Sequence, residues 1–300
     1  MTSISVIITC YSEGEKVITA LNSIFGQTDT AVEILLINDH SRHEATNTIC
    51  AQLAAQHPQL RYFYLEQNGG LSHARNMGFQ HASGEAIIFL DGDDELPANA
   101  VALIRKAFYD HPEADFVYGD FLVRNIRTGE HQVSPGEPIT TGGKLDISKL
   151  MLNYRLLGTS PCKKNLWEKT GGYDQLFSYD NQDMDFWYSA MEKNATGIYI
   201  PEVIYTWNRE DNGMNVNQKA DKMMLLYEKH FGLISQYKAN RYIELKIIAI
   251  YLRNKDVKGL QESVRKIRKM TGGQVSLAML LSLLPCFILA MFTRLYHLVK

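Results

Sequence analysis

Short apolar runs alternate with amphipathic stretches over the first 120 residues of the chain. The runs are four to six residues long and rich in Ile, Val and Leu, as is typical of strands buried in a sheet. The stretches between them repeat apolar residues every three or four positions, which predicts helices that cover the sheet. Such alternation with short loops indicates βαβ units and a mostly parallel sheet, so we expect an α/β fold. The predicted strands are 4–8, 32–37, 60–65, 86–90 and 115–118, and the predicted helices are 15–25, 43–56, 72–81 and 97–109.

The alternation stops after the fifth predicted strand. Residues 128–145 are rich in Gly, Pro, Thr and Ser and predict a flexible loop. From about residue 217 onward the whole pattern is helical. We therefore expect a domain over 1–215 and a helical C-terminal region over 216–300. Between the loop and that region, the pattern predicts helices over 146–153, 163–170 and 182–193 and two short strands over 196–200 and 202–206.

Charge is distributed unevenly along the chain. The net charge is −2, but residues 238–300 hold 12 Lys and Arg against 3 Asp and Glu, a net +9, which leaves −11 for the rest. This asymmetry indicates a basic segment with a partner of its own. The basic stretch 253–269 leads into residues 275–292, which carry no charge. We therefore expect that partner to be a membrane surface and not a nucleic acid.

The uncharged stretch 275–292 is short for a membrane span. Its 18 residues would cover about 27 Å as a helix, and Pro285 interrupts it. Three interpretations stay open, namely a monotopic or re-entrant helix, a single span and a buried core helix. The chain starts without the pattern of a secretory signal, and its four cysteines form no C-x-x-C pair. We expect the protein at the cytoplasmic face of the inner membrane.

Three carboxylates, those of Asp91, Asp93 and Asp94, crowd within four positions at the end of the strand predicted over 86–90. Their mutual repulsion is commonly relieved by a divalent metal that carries a phosphate ligand. Ligands of open α/β sheets bind at the carboxyl ends of the strands, where this cluster lies. The alternative is an acidic loop that caps the next helix through Asp94 or Asn99.

Other phosphate-binding and hydrolytic motifs are absent from the sequence. The loop over 9–14, after the first strand, holds a single Gly where a dinucleotide fold has G-x-G-x-x-G. The chain also has no P-loop and no G-x-S-x-G nucleophile motif. A phosphate group would therefore be held by a metal on the acidic cluster.

Two further polar residues follow strand ends. Asp39 comes after the second strand, where a carboxylate can accept hydrogen bonds from a base or a ribose, or can simply form a turn. Arg75 lies one turn into the third helix, within reach of a diphosphate at the sheet edge, or else on the surface.

Taken in order, the motifs resemble those of the inverting family 2 glycosyltransferases of the GT-A fold, of the type that builds bacterial cell-surface polysaccharides. The GT-A fold is Rossmann-like, with a central sheet flanked by helices. The resemblance covers roughly residues 3–210. The segments that carry it are 5–11, 38–41, 68–70 with 74–76, 90–94, and 171–174 with 181–187.

The resemblance implies a donor site for a nucleotide-diphosphate sugar, most simply a UDP-sugar. Thr9, Tyr11 and Glu13 would lie in the loop that contacts the nucleotide. Asp39 would read the base, and Arg75 would contact the nucleotide or its diphosphate.

The resemblance also assigns the chemistry. Asp91, Asp93 and Asp94 look like the D-x-D motif, in which carboxylates hold Mg²⁺ or Mn²⁺ and contact the ribose. Asp183 aligns with the catalytic base. The acceptor would be a glycan or a polyprenyl-linked glycan.

Helical spacing separates the two acids of the segment 181–187. Asp183 and Asp185 point about 200° apart on a helix, so we expect only Asp183 to overlook the pocket and Asp185 to make a structural bond. The alternative for Asp183 is a first-turn carboxylate favoured by the helix dipole. Gln182 stands where the family usually has Glu, and the late His that the family often supplies near Trp207 is missing. Trp207 and Arg209 are candidates for the acceptor site.

The sequence therefore predicts an inverting glycosyltransferase that acts in cell-surface polysaccharide synthesis. A protein of the same fold that binds sugar nucleotide without turnover is the alternative. A sugar-phosphate nucleotidyltransferase is disfavoured, because the loop after the first strand lacks a Gly-rich basic sequence.

Overall fold

The computed structural model of the chain describes most of its length. It divides into two compact units, Met1–Gly213 and Met214–Lys300. The boundary expected at 215 falls outside the described residues, so the predicted domain limits stay a prediction. The described residues are 2–134, 139–141, 143–146, 149–150, 156–209 and 219–272.

The first unit is an α/β structure around one large sheet, as the alternation predicted. Its strands lie in the order β10-β5-β9-β4-β1-β2-β3, with β6 beside β5, and β7 pairs with β8 separately. The strands are β1 Ile4–Cys10, β2 Val32–Asn38, β3 Leu60–Tyr64, β4 Ala86–Asp91, β5 Phe116–Asn125, β6 His131–Ser134, β7 Thr140–Thr141, β8 Lys144–Leu145, β9 Cys162–Lys163 and β10 Gly197–Arg209. The helices are α1 Lys16–Phe25, α2 Glu44–Gln56, α3 Gly70–His81, α4 Ala100–Asp110, α5 Lys164–Thr170 and α6 Gln182–Glu192, with a 3₁₀ turn at Gln175–Phe177.

The sheet is mixed, although its long strands pair in parallel, as predicted. The pairs β1–β2, β2–β3, β1–β4 and β5–β10 are parallel, as expected for βαβ crossovers. Two short strands run the other way, because β9 lies between β4 and β5, and β6 folds back on β5. Neither short strand has the long apolar run from which buried strands were predicted.

Three local predictions were wrong. The stretch 128–145, expected as a loop, contains β6, β7 and β8, whose polar residues gave no strand signal. The two strands expected over 196–206 form the single strand β10, which stays paired with β5 through register shifts around Val203. The helix expected from Pro97 begins only at Ala100, as α4.

Apolar layers cover both faces of the sheet. On one face, residues of β1, β2 and β4 pack against α1, α2 and α4. The other face carries an aromatic layer around Trp167, whose ring lies 5.1 Å from Phe89 and 4.8 Å from Tyr173, between centroids. Phe186 of α6 continues this layer, 5.0 Å from Tyr173. The aromatic layer therefore joins β4, α5 and α6 beneath one end of the sheet.

The described part of the second unit, residues 219–272, is helical, as the pattern from residue 217 onward predicted. Tyr227 and Glu244 meet in its interior, where the phenol donates a 2.9 Å hydrogen bond to the carboxylate. The Asp256 side chain accepts from the N–H of Gly259 at 2.9 Å and so caps the helix that begins at Val257. The helices are α7 Ala220–Lys229, α8 Phe231–Gln236, α9 Asn240–Arg253 and α10 Val257–Met270.

The membrane segment expected over 275–292 lies outside the described residues. Within the described ranges, no helix has both the length and the apolar character that crossing a bilayer requires.

Gly78 tests the packing of α3 on the sheet. A Cβ at this position would overlap the side chain of Ile7 and crowd Ile37 at 3.2 Å. Gly78→Ala should therefore lower the free energy of unfolding by about 1–3 kcal/mol, although Ala is the better helix former. Gly232→Ala is the matched control, because Gly232 lies in α8 with nothing within 4 Å of its added Cβ. Urea unfolding of both variants checks this, and equal stability of the two would contradict it.

Candidate functional site

The first loop and the acidic turn meet because β1 and β4 are neighbours. Thr9 lies opposite Asp91 in the parallel register, and its hydroxyl donates to the Asp91 carboxylate at 3.4 Å. The N–H of Gly92 donates to the Thr9 carbonyl at 2.9 Å. An added Cβ on Gly92 would approach that carbonyl oxygen to 2.9 Å, so the close approach needs glycine. The structure thus brings these predicted donor-site residues together.

Burial and mutual repulsion destabilise the negative charges at this meeting point. Burial raises the pKa of Glu13, and the charge of Asp91 raises it further, although the N–H of Tyr11 donates to the Glu13 carboxylate. Burial also raises the pKa of Asp93 to about 6, and the charges of Asp91 and Glu13 add to the effect while Lys16 opposes it. A cation bound here would relieve this repulsion.

The donor set fits a hard divalent cation such as Mg²⁺ or Mn²⁺, because it consists of carboxylate oxygens. Within the described ranges, no three His, Cys, Asp or Glu side chains are grouped so that they could hold a metal by themselves. A metal at Asp91 and Asp93 would therefore take its other ligands from a diphosphate and from water, as is usual for Mg²⁺.

Asp94 is turned away from this meeting point and anchors the turn to β10. It is 4% exposed. Its carboxylate accepts from the Tyr205 hydroxyl and from the N–H of Asn208, both at 2.7 Å. The Asn208 amide also donates to the Asp93 carbonyl at 2.8 Å. Burial, followed by the charges of Asp91 and Asp93, raises the pKa of Asp94 to about 8. Asp94 thus has a structural part in the turn, and its role as a metal ligand stays a prediction.

Asp39 holds the start of α3. Its carboxylate, 4% exposed, accepts from the side-chain amide of Asn68 at 3.0 Å and from the N–H groups of Gly69 and Gly70 at 3.1 and 2.7 Å. His73 approaches the same carboxylate at 3.4 Å. The contact with a base predicted for Asp39 stays a prediction, and this geometry gives its carboxylate a second, structural use.

Arg75 reaches the sheet edge from α3, as expected, but lies beneath the site. It is 2% exposed, which contradicts the alternative of a surface arginine. Its guanidinium donates to both oxygens of Asp91 at 2.8 and 3.1 Å and to the Tyr173 hydroxyl at 3.3 Å. The same group lies 3.6 Å from the Asp183 carboxylate. Burial by itself would lower the pKa of Arg75, but the charges of Asp91 and Asp183 raise it above the usual value.

Asp183 enters the site from the first turn of α6. Its side chain is 29% exposed, whereas Asp185 is 1% exposed and points into the interior, as helical spacing predicted. Gly158 lies against the Asp183 carboxylate so closely that an added Cβ would overlap it. The Gly158 carbonyl accepts from the Tyr173 hydroxyl at 2.5 Å. Gly158 and Tyr173 therefore position Asp183.

Several residues of the site gave no usable signal in the sequence. Tyr173 lies within one of the segments that carry the family resemblance but had no predicted role. Gly158, Tyr205 and Asn208 lie outside those segments. Only the fold brings these residues to the acidic residues. Trp207 is half-buried and packs against the core, and Arg209 is exposed, so their part in an acceptor site stays a prediction.

The raised pKa of Asp93 predicts a pH dependence of stability. The pKa rises from 3.8 to about 6, so between these values the folded chain keeps a proton that the unfolded chain releases. The free energy of unfolding then falls as pH rises through this window. Asp93→Asn removes this term, so wild-type protein should lose up to about 2 kcal/mol relative to the variant between pH 4 and pH 6.5. Urea unfolding without divalent cations measures this, and a pH-independent difference would contradict it.

Sequence comparison matches residues 5–161 to "Glycosyl transferase family 2". The minor teichoic acid biosynthesis protein GgaB of Bacillus subtilis is 33% identical over 133 residues, which are 43% of this chain and 15% of that relative. This chain therefore matches only a small part of that relative's length.

Solved structures share the fold. Staphylococcus aureus TarS residues 1–349, in complex with UDP-GlcNAc, gives a TM-score of 0.64 at 17% identity over 90% of this chain and 83% of that one. The mannosyltransferase PcManGT from Pyrobaculum calidifontis, in complex with GDP-Man and Mn²⁺, gives 0.57 at 17% identity over 98% and 80%. The fold is thus GT-A-like, with a mixed central sheet and flanking helices. With the family match spanning half of the chain, this chain belongs to glycosyl transferase family 2.

Proposed function

We propose that the protein transfers a sugar from a nucleotide-diphosphate donor, most simply a UDP-sugar, to a hydroxyl of a glycan or lipid-linked glycan with inversion at the anomeric carbon. The observation that carries this proposal is the position of Arg75, which joins Asp91 on the donor side to Asp183. Glycosyl transfer needs a site for the departing diphosphate and a base for the acceptor hydroxyl. Asp91 would serve the first through a divalent cation and Asp183 would be the second, and both carboxylates lie beside the guanidinium of Arg75.

Asp183 would act as the general base and take the proton of the acceptor hydroxyl, a contribution of about 10²–10⁴-fold. Its partial exposure leaves it accessible to an acceptor, and its place against Gly158 restricts its movement. Arg75 is a fixed positive charge beside this base, so it favours the ionised carboxylate that proton abstraction requires.

On the donor side, Asp91 and Asp93 would hold the metal, which would neutralise the diphosphate as it departs. Thr9, Tyr11, Glu13 and Asp39 would border the nucleotide. Asp94 would act mainly through the turn that it anchors, because both of its oxygens accept from β10.

We also propose that the protein works in cell-surface polymer synthesis at the cytoplasmic face of a membrane. Similarity to other proteins supports this proposal, since GgaB is a teichoic acid biosynthesis protein and TarS was solved with UDP-GlcNAc. The uncharged stretch 275–292 and a polyprenyl-linked acceptor are consistent with it.

Asp183→Asn tests the proposed base. We expect turnover of the preferred nucleotide sugar, found by a thermal-shift screen with Mg²⁺ or Mn²⁺, to fall at least about 10²-fold while nucleotide binding stays within about twofold. Asp221→Asn is the matched control, because Asp221 is also an acid in the first turn of a helix, α7. If Asp183 served only the helix dipole, both variants would keep their turnover.

A wild-type chain that binds a nucleotide sugar with metal but never turns it over would support the alternative of a non-catalytic binding protein. Transfer with retained anomeric configuration would contradict the inverting mechanism. In the same assay, the first outcome is seen as the absence of product, and the second is seen by NMR of the product.

Gly158→Ala tests how closely the base must be held. The added methyl group would displace the Asp183 carboxylate, and a displacement of about 1 Å costs about 10²-fold in rate. We expect kcat to fall by that order while donor binding is retained. Gly232→Ala is again the control, since its methyl group meets nothing within 4 Å. Unchanged kcat in Gly158→Ala would show that Asp183 does not act from this position.

A further inference from the structure

The last described helix, α10, has two faces of opposite character. Leu260, Val264 and Ile267 are buried against the rest of the second unit. Lys258, Arg265 and Lys269 are all exposed. At 100° per residue these three lie within about 40° of one another and on the side opposite the buried face. They form a row about 16 Å long, which we call the basic row.

Few negative charges balance the basic row. Among the described residues, no carboxylate pairs with Lys258, Arg265 or Lys269. Lys266, at the edge of this side, pairs with Glu228 at 3.1 Å. Glu262 lies on the same side as the row, but the second half of the helix, residues 263–270, holds four basic residues and no acid. The exposed side of α10 is therefore positively charged by several units.

The position of the row in the chain indicates what it would meet. Lys269 precedes the uncharged stretch 275–292 by only a few residues, and Arg268 lies beside it. A basic helix next to a long apolar stretch is typical of segments at the surface of an anionic bilayer. A solvent-exposed helix without such a partner usually mixes both signs of charge along its outer face.

We propose that the basic row of Lys258, Arg265 and Lys269 binds the anionic headgroups of a lipid bilayer and lays α10 on the membrane surface. The buried face of the helix stays in the second unit, so the contact is electrostatic and needs no unfolding. The inference deepens the proposed membrane location, but it does not depend on sugar transfer. Its strength should fall steeply with salt, because exposed charges are screened over about 8–10 Å.

Vesicle co-sedimentation of the full chain tests the proposal. The probes are phosphatidylcholine vesicles with and without one quarter phosphatidylglycerol, at low and high salt. We expect wild-type protein to prefer the anionic vesicles at low salt and to lose that preference at high salt. Lys258→Glu/Arg265→Glu/Lys269→Glu should weaken partition onto anionic vesicles at least about tenfold, to the neutral-vesicle level.

Lys106→Glu/Arg127→Glu/Lys193→Glu is the matched control. It makes the same change in net charge at exposed positions of the first unit, so it should keep the anionic preference. A second variant with Gln at the three positions of the row should lose most of the preference without reversing charge. Thermal melts establish whether each variant folds. If the Glu variant does not fold, the Gln variant provides the test.

Three outcomes would overturn the proposal. The first is wild-type protein without anionic preference, and the second is a row variant that keeps it. The third is binding of soluble polyphosphate, but not of vesicles, by the basic row, which would indicate that its partner is a soluble polyanion. Transfer to a soluble acceptor in detergent should be unchanged in the row variants, so a failure here is distinct from a failure of the proposed activity.

Discussion

One buried positive charge holds the site together. The guanidinium of Arg75 is removed from water, which is costly unless negative partners replace the lost hydration. The Asp91 carboxylate accepts two hydrogen bonds from the guanidinium, the Tyr173 hydroxyl accepts a third, and the Asp183 carboxylate lies 3.6 Å away. The Tyr173 ring also lies 5.2 Å from the guanidinium carbon, within the range of cation–π attraction. Removing any one partner would leave a buried charge poorly matched, so α3, the end of β4 and α6 depend on one another.

A second constraint divides the acidic turn into a structural part and an open part. Asp94 is tied to β10 through Tyr205 and Asn208, and its burial keeps it from the solvent. Asp91 and Asp93 keep more exposure. Burial and the neighbouring charges raise the pKa of both Asp93 and Asp94, and the partial exposure of Asp91 and Asp93 leaves this pair open to a cation. A cluster that looks uniform in sequence therefore contains a buried residue held by β10, Asp94, and two more exposed residues, Asp91 and Asp93.

The sequence was most informative about features that depend on residues close together in the chain. The run before Asp91 predicted a buried strand, and the alternation of strands and helices predicted an α/β sheet with the acidic cluster at a carboxyl end. It was least informative about strands that are short or that pair with a strand far away in the sequence. The polar strands within 128–145 pair at the edge of the sheet and need no apolar run, so their pattern resembles that of a loop. The bulged strand β10 was divided in two at Pro201, because proline interrupts a strand pattern even when pairing continues beyond it.

The sequence by itself determined the class of fold, the acidic turn, the face of α6 that carries Asp183 and, through the order of its motifs, the family. The acidic turn and the face of α6 follow from residues close in the chain, and the fold class and the family follow from the order in which such local patterns occur along it. Only the tertiary structure decided that Arg75 lies beneath the site, that Asp94 anchors the turn, and that Gly158 and Tyr173 hold the proposed base. These depend on contacts between residues far apart in sequence, where burial and charge are set by packing.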